Sequence, residues 1–88
     1  MKAFTYTALP ARVVFGAGAV AQLPAEVERL GAKRALVLST PGRAASVKSV
    51  AASLGTRYAG LYDKAVMHVP IEVAEDARRV AKELGADC

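Results

Sequence analysis

Apolar residues run without alternation through Ala35-Leu36-Val37-Leu38, opened by Arg34, and stop at Ser39-Thr40-Pro41-Gly42. A short unalternating run predicts a strand covered on both faces, the habit of a parallel sheet. On either side the spacing becomes helical. Val20, Leu23, Val27 and Leu30 line one face before the strand, and Val47, Val50, Ala51 and Leu54 line one after it. A strand between two helices is a middle strand of a βαβ array. Ser39, Thr40 and Pro41 then stand at its carboxyl end, where open α/β sheets bind ligands.

The remaining pattern extends this reading. Phe4-Thr5-Tyr6-Thr7 alternates aromatic and polar residues and predicts a half-exposed N-terminal edge strand. Leu9-Pro10-Ala11 breaks it, and the β-branched Arg12-Val13-Val14-Phe15 predicts a second strand closed by Gly16-Ala17-Gly18. Pro24 is expected at the first helical position, after a looser turn. Arg57 to Tyr62 predicts a further core strand, weakened by Gly60. Residues 65–69 predict a short extended piece, because Pro70 disfavours helical geometry at Val69. A third helix carries Val73, Ala77, Val80 and Leu84 on one face, with Glu72, Glu75 and Asp76 early and Arg78, Arg79 and Lys82 late, as the helix dipole prefers.

Each of the three helical patterns ends in Leu-Gly, at Leu30-Gly31, Leu54-Gly55 and Leu84-Gly85. Glycine just past a helix supplies the left-handed residue that ends it. A strand follows the first two, so a strand is expected after the third. Residues 1–88 therefore read as the N-terminal part of one incomplete domain of a longer protein.

Composition narrows the function classes. The chain has 88 residues, is 53% hydrophobic and carries a net charge of +4 from 12 basic and 8 acidic residues. The basic residues are scattered and do not interleave with aromatics, which argues against a nucleic-acid partner. The apolar runs are too short for a membrane span, and the N-terminus has no signal-peptide core. The single cysteine, Cys88, excludes an internal disulfide framework and fits a reducing compartment, so a cytoplasmic location is expected.

Candidate chemistry is sparse. Gly16-Ala17-Gly18-Ala19-Val20-Ala21 follows the G-x-G-x-x-A outline of a dinucleotide loop. The acidic residue expected about 20 positions on is missing, and Ser39 and Thr40 stand there instead. A plain strand-to-helix turn is the more ordinary reading. Ser39 and Thr40 offer two hydroxyls beside a helix start, suited either to a ribose or phosphate or to simple helix capping. Arg43 is placed to meet a phosphate, with a solvated role equally open. His68, the only histidine, has no other His or Cys nearby with which to hold a metal. Its ordinary role is structural, and a ligand contact is the alternative. No nucleophile-elbow pattern or other catalytic constellation is present.

The stretches Phe4-Thr-Tyr-Thr, Leu9-Pro-x-Arg-Val-Val-Phe-Gly-Ala-Gly18, Leu30-Gly-Ala-x-Arg-Ala-Leu-Val-Leu-Ser-Thr-Pro41 and Ala65-Val-Met-His-Val-Pro70 resemble the N-terminal part of maleylacetate reductases. That family lies within the iron-containing alcohol dehydrogenase superfamily. The resemblance implies a Rossmann-like α/β nucleotide-binding domain followed by a helical C-terminal domain. It also implies a Gly-Gly-Gly-Ser pyrophosphate loop on the strand that begins near Asp87-Cys88, and a substrate site in the C-terminal domain. The implied activity is reduction of maleylacetate to 3-oxoadipate in aromatic compound degradation, by hydride transfer from NADH or NADPH and then protonation. No iron is required for it, and no metal ligand is implied within residues 1–88. Carried onto this sequence, the cofactor positions are Ser39, Thr40 and Pro41 at the adenosine ribose and His68 and Val69 on the adenine side. A homodimer using the N-terminal strand is also implied. The alternatives are another alcohol or glycerol dehydrogenase of the same superfamily and a stand-alone α/β binding module.

Overall fold

The computed structural model describes Ala3 and residues 5–88. Its sheet has two parallel strands, β1 (Ala35–Leu38) and β2 (Tyr58–Tyr62). Leu36 pairs with Gly60, Val37 with Leu61 and Leu38 with Tyr62, with an irregularity between Ala35 and Leu36. The ladder continues beyond β1. Ser39 N–H donates to the Tyr62 carbonyl at 2.9 Å, and Ala65 N–H donates to the Ser39 carbonyl at 3.1 Å.

The other edge of β1 is also occupied. Cys88 N–H donates to the Arg34 carbonyl at 3.4 Å, and Leu36 N–H donates to the Cys88 carbonyl at 2.9 Å. Flanking bonds of this kind are the parallel pattern. β1 is thus hydrogen-bonded on both sides, the middle strand expected from the helical patterns that flank it, while its faces are only partly covered, with Leu38 exposed. Cys88 lies on a third parallel track, where the sequence rhythm places a strand.

Three helices accompany the strands: α1 (Leu23–Arg29), α2 (Ala44–Ala52) and α3 (Ile71–Glu83). Pro24 falls in the first turn of α1, and the looser turn before it is the 3₁₀ segment Ala19–Gln22. In α3, Val73, Ala74, Ala77, Val80 and Ala81 are half-buried while Glu72, Glu75, Arg78, Arg79 and Lys82 are exposed. The stripe read from spacing is therefore the buried face. Two of the three Leu-Gly stops are complete Schellman motifs. At Gly31 (φ 73°) the pair is Gly31 N–H to the Glu28 carbonyl and Ala32 N–H to the Val27 carbonyl. At Gly85 (φ 65°) it is Gly85 N–H to the Lys82 carbonyl and Ala86 N–H to the Ala81 carbonyl.

Val27, Ala32, Ala35 and Leu54 form the core, with Leu23 and Val37 packed against it. Two polar clamps join α3 to the sheet. The Asp87 carboxylate accepts the backbone N–H groups of Lys33 and Arg34, each at 2.9 Å, and Arg34 Nε donates to the Leu84 carbonyl at 2.9 Å. The buried Tyr62 hydroxyl donates to Asp76 Oδ2 at 3.0 Å and lies 3.3 Å from the Val73 carbonyl.

Two expectations are corrected. Residues 5–15 contain no strand, so neither Thr5–Thr7 nor Arg12–Phe15 is one; Phe4 lies outside the described residues. Tyr6, Leu9, Val13 and Phe15 are exposed, Phe15 at 98%. A strand needs a ladder partner; both edges of β1 are taken, by β2 and by Asp87-Cys88, and the segment does not pair with the remaining edge of β2. What tethers this segment is the two-pronged Arg12–Glu26 pair, with both contacts at 2.9 Å. Residues 66–69 form a turn instead of an extended piece, with Val69 N–H donating to the Val66 carbonyl at 3.3 Å. His68 and Val69 take positive φ values of 60° and 20°. The reversal that leads the chain from β2 into α3 overrides the preference set by Pro70.

Candidate functional site

A cleft of about 500 Å³ opens at the carboxyl end of β1. Leu38, Ser39 and Thr40 supply its strand side. Arg43, Ser46 and Val47 supply its helix side; they are three and four residues apart and so share one helical face. Ala65 closes the loop side. It is brought there by its hydrogen bond to the Ser39 carbonyl.

The local chemistry explains the shape. Ser39 is buried, and its N–H and carbonyl are both used by the extended ladder. Its hydroxyl donates to the Thr40 carbonyl at 3.1 Å, which holds the strand end still. Thr40 is extended (φ −76°, ψ 157°) and its side chain makes no cap bond. The turn is closed by the backbone instead, with Arg43 N–H donating to the Thr40 carbonyl at 3.1 Å. Of the two roles open to these hydroxyls, helix capping is therefore not the one Thr40 plays. Pro41 opens the 3₁₀ turn Pro41–Arg43, and its fixed φ sets the path that carries Arg43 to the cleft wall.

The candidate positions separate into two groups. Ser39 and Thr40 line the cleft, and Pro41 shapes it from the adjoining turn. His68 and Val69 are exposed on the turn beyond Ala65 and do not line it. Sequence reasoning missed Ala65 and Val47. Val47 reads as core by its helical spacing, and Ala65 arrives through a backbone bond that no side-chain pattern announces.

The groups whose titration is shifted belong to the side-chain clamps and the Arg12–Glu26 tether, and not to the cleft. Arg12 holds the Glu26 carboxyl below its ordinary range through a paired hydrogen bond. The Arg79 guanidinium, and then the Tyr62 hydroxyl, lower Asp76. Burial, and then the bond to Asp76, raises the Tyr62 phenol. The backbone N–H groups of Lys33 and Arg34 lower Asp87. No acidic side chain and no histidine is among the residues that line the cleft, so they hold no acid–base pair. A second hollow of about 210 Å³ lies between Val20-Ala21 and the Ser49, Val50 and Ser53 face. Both serine hydroxyls there donate back to carbonyls of their own helix.

The family model for iron-containing alcohol dehydrogenases matches residues 10–88. The chain belongs to this family. It is 52% identical to the maleylacetate reductase of Burkholderia cepacia over 88 residues, covering 100% of this chain and 25% of that protein. It is 52% identical to the maleylacetate reductase of Sphingobium indicum over 85 residues, covering 97% and 24% of the two chains. The crystal structure of maleylacetate reductase from Agrobacterium tumefaciens matches with a TM-score of 0.90 at 45% identity, over 100% of this chain and 25% of that one. The chain thus spans about a quarter of the length of the curated relatives it matches. Its α/β fold is that of the N-terminal Rossmann-like domain in such structures. Among the described residues no three His, Cys, Asp or Glu side chains gather as metal ligands, so this part of an iron-containing alcohol dehydrogenase does not itself fit an iron ion. No helix among them is long and apolar enough to cross a membrane.

Proposed function

We propose that residues 1–88 are the N-terminal part of the nucleotide-binding domain of a cytoplasmic, NADH- or NADPH-dependent maleylacetate reductase. The full-length enzyme reduces maleylacetate to 3-oxoadipate in aromatic compound degradation. The observation that carries this reading is the match to maleylacetate reductases along the whole chain, at 52% identity over 88 residues. The cleft beyond β1 supports it, since this is where α/β sheets take nucleotides.

In this reading the cleft takes the adenosine ribose. Ser39 fixes the strand end through its ladder bonds and its hydroxyl. Thr40 offers a hydroxyl not spent on capping. Pro41 holds the turn, and the His68-Val69 turn passes the adenine side. When bound, the nicotinamide supplies the hydride, and the protein's part is to orient it. Two copies pair through the N-terminal segment, whose Tyr6, Leu9, Val13 and Phe15 are exposed.

The test is a steady-state assay of the full-length enzyme. NADH and NADPH oxidation are followed with maleylacetate, and NAD⁺ reduction with primary alcohols and glycerol. Rapid maleylacetate-dependent oxidation is expected. Turnover of alcohols with none of maleylacetate would replace this reading with a dehydrogenase of the same family.

A further inference from the structure

The cleft's charge pattern bears on which nucleotide it takes. Thr40 and Arg43 are the two ends of one backbone turn, joined at 3.1 Å, so hydroxyl and guanidinium are rooted on the same rigid unit. Both line the cleft, together with Ser46 one helical turn on. No carboxylate is among the lining residues. Arg12, Arg57 and Arg79 each pair with a carboxylate, whereas Arg43 forms no ion pair among the described residues. The hydroxyls of Ser39 and Ser46 are spent on backbone carbonyls, so a cleft with one unpaired guanidinium, the Thr40 hydroxyl and no opposing acid is suited to a dianion.

We propose that Arg43 is a specificity-determining residue that binds the 2′-phosphate of a phosphorylated adenosine ribose, and so admits NADPH to this site. The inference rests on the reading of the cleft as the ribose site. A guanidinium offers paired N–H donors in a fixed plane that matches phosphate oxygens, which a hydrated lysine ammonium does not. The missing carboxylate matters equally, because a fixed negative charge there would repel a 2′-phosphate at close range. Ser46 Oγ donates to the Arg43 carbonyl at 3.0 Å and ties the arginine backbone to α2. The root of the arginine is thereby fixed beside the cleft, with its guanidinium free to meet a ligand.

The experiment uses the full-length enzyme and two fragments, 2′,5′-ADP and 5′-AMP, bound in a calorimeter. Arg43→Ala is expected to weaken 2′,5′-ADP about tenfold while 5′-AMP stays within about twofold, the loss of one charge-assisted contact. Arg43→Lys should retain part of the preference, and the NADPH KM should rise in Arg43→Ala with kcat little changed. Equal weakening of both fragments, or of neither, overturns the role of Arg43. Thr40→Trp, which fills the cleft, separates the two readings. If it keeps the wild-type thermal midpoint and leaves both fragments bound as before, the ribose is elsewhere and the underlying site reading fails. If it abolishes both while Arg43→Ala shows no selectivity, only the 2′-phosphate inference fails.

Discussion

Leu84 lies directly over Gly60: a Cβ built on Gly60 would stand 2.6 Å from Leu84 Cδ1. Leu84 follows α3, and Gly60 is the middle residue of β2. The missing side chain lets the end of the helix reach the sheet. By composition Gly60 is a weak point in a strand; by packing it is the seat of a leucine. Gly60→Val in the full-length enzyme is expected to cost about 1–3 kcal/mol, as overpacking does. The measurement is the fall in thermal midpoint. Leu84→Ala in the same chain should recover part of that loss, because the two residues share one space. Strictly additive effects would show that they do not.

Asp87 gives a pH dependence with a defined sign. Its carboxyl is held below the ordinary range first by the backbone N–H of Lys33, then by that of Arg34. A carboxylate with a lowered folded-state pKa stabilises fully above its unfolded pKa, near 3.9, and the contribution is lost as pH falls through the folded value. Asp87→Ala is therefore expected to lower the thermal midpoint of the full-length enzyme at neutral pH. The gap from wild type should close as the solution is acidified below about pH 4. A gap of constant size across that window would mean that the carboxylate charge is not responsible.

Thr40 stands where the dinucleotide fingerprint places a carboxylate. With none there, the full-length enzyme is expected to use both NADH and NADPH, with discrimination under about 100-fold, or about 3 kcal/mol. Thr40→Asp restores the repulsion and should shift preference toward NADH, chiefly by raising the KM for NADPH. An unchanged NADH/NADPH ratio in this variant would remove Thr40 from the ribose site.

Residues 1–88 by themselves are expected to aggregate or melt without cooperativity. Their core consists of a few small and medium side chains, while Phe15, Leu9, Met67 and Val13 are each more than 80% exposed. Exposed apolar surface of this kind promotes association. Calorimetry of the isolated segment checks this; a sharp reversible transition from a soluble monomer would contradict it.

Deleting residues 1–8 from the full-length enzyme is expected to weaken the proposed homodimer and leave nucleotide binding intact. The cleft residues lie far along the chain from this segment, and the Arg12–Glu26 tether is untouched. Sedimentation velocity against protein concentration reads the first effect, and titration with NADH the second.

Local physics made much of this protein legible in its sequence. An unalternating apolar run marked β1 as a strand, although the cover it implies on both faces is incomplete, with Leu38 58% exposed, and helical spacing picked out the half-buried face of α3 residue by residue. Leu-Gly pairs marked the helix ends because a left-handed residue is costly for anything but glycine. The carboxyl end of β1, where the cleft opens, was marked in the sequence by Ser-Thr-Pro-Gly, which ends the run there. Tertiary structure decided the rest. Arg12-Val-Val-Phe15 has the composition of a strand, but a strand exists only when it is paired, and among the described residues no ladder forms with this segment. The residues around Met67 and His68 form a turn because the path from β2 to α3 must reverse there, which is a global demand. Ala65 joins the cleft through a single backbone hydrogen bond to Ser39, a contact between residues distant in sequence. Gly60 is explained only by Leu84. In each of these cases the deciding partner lies on another element, and one-dimensional periodicity carries no information about which elements meet.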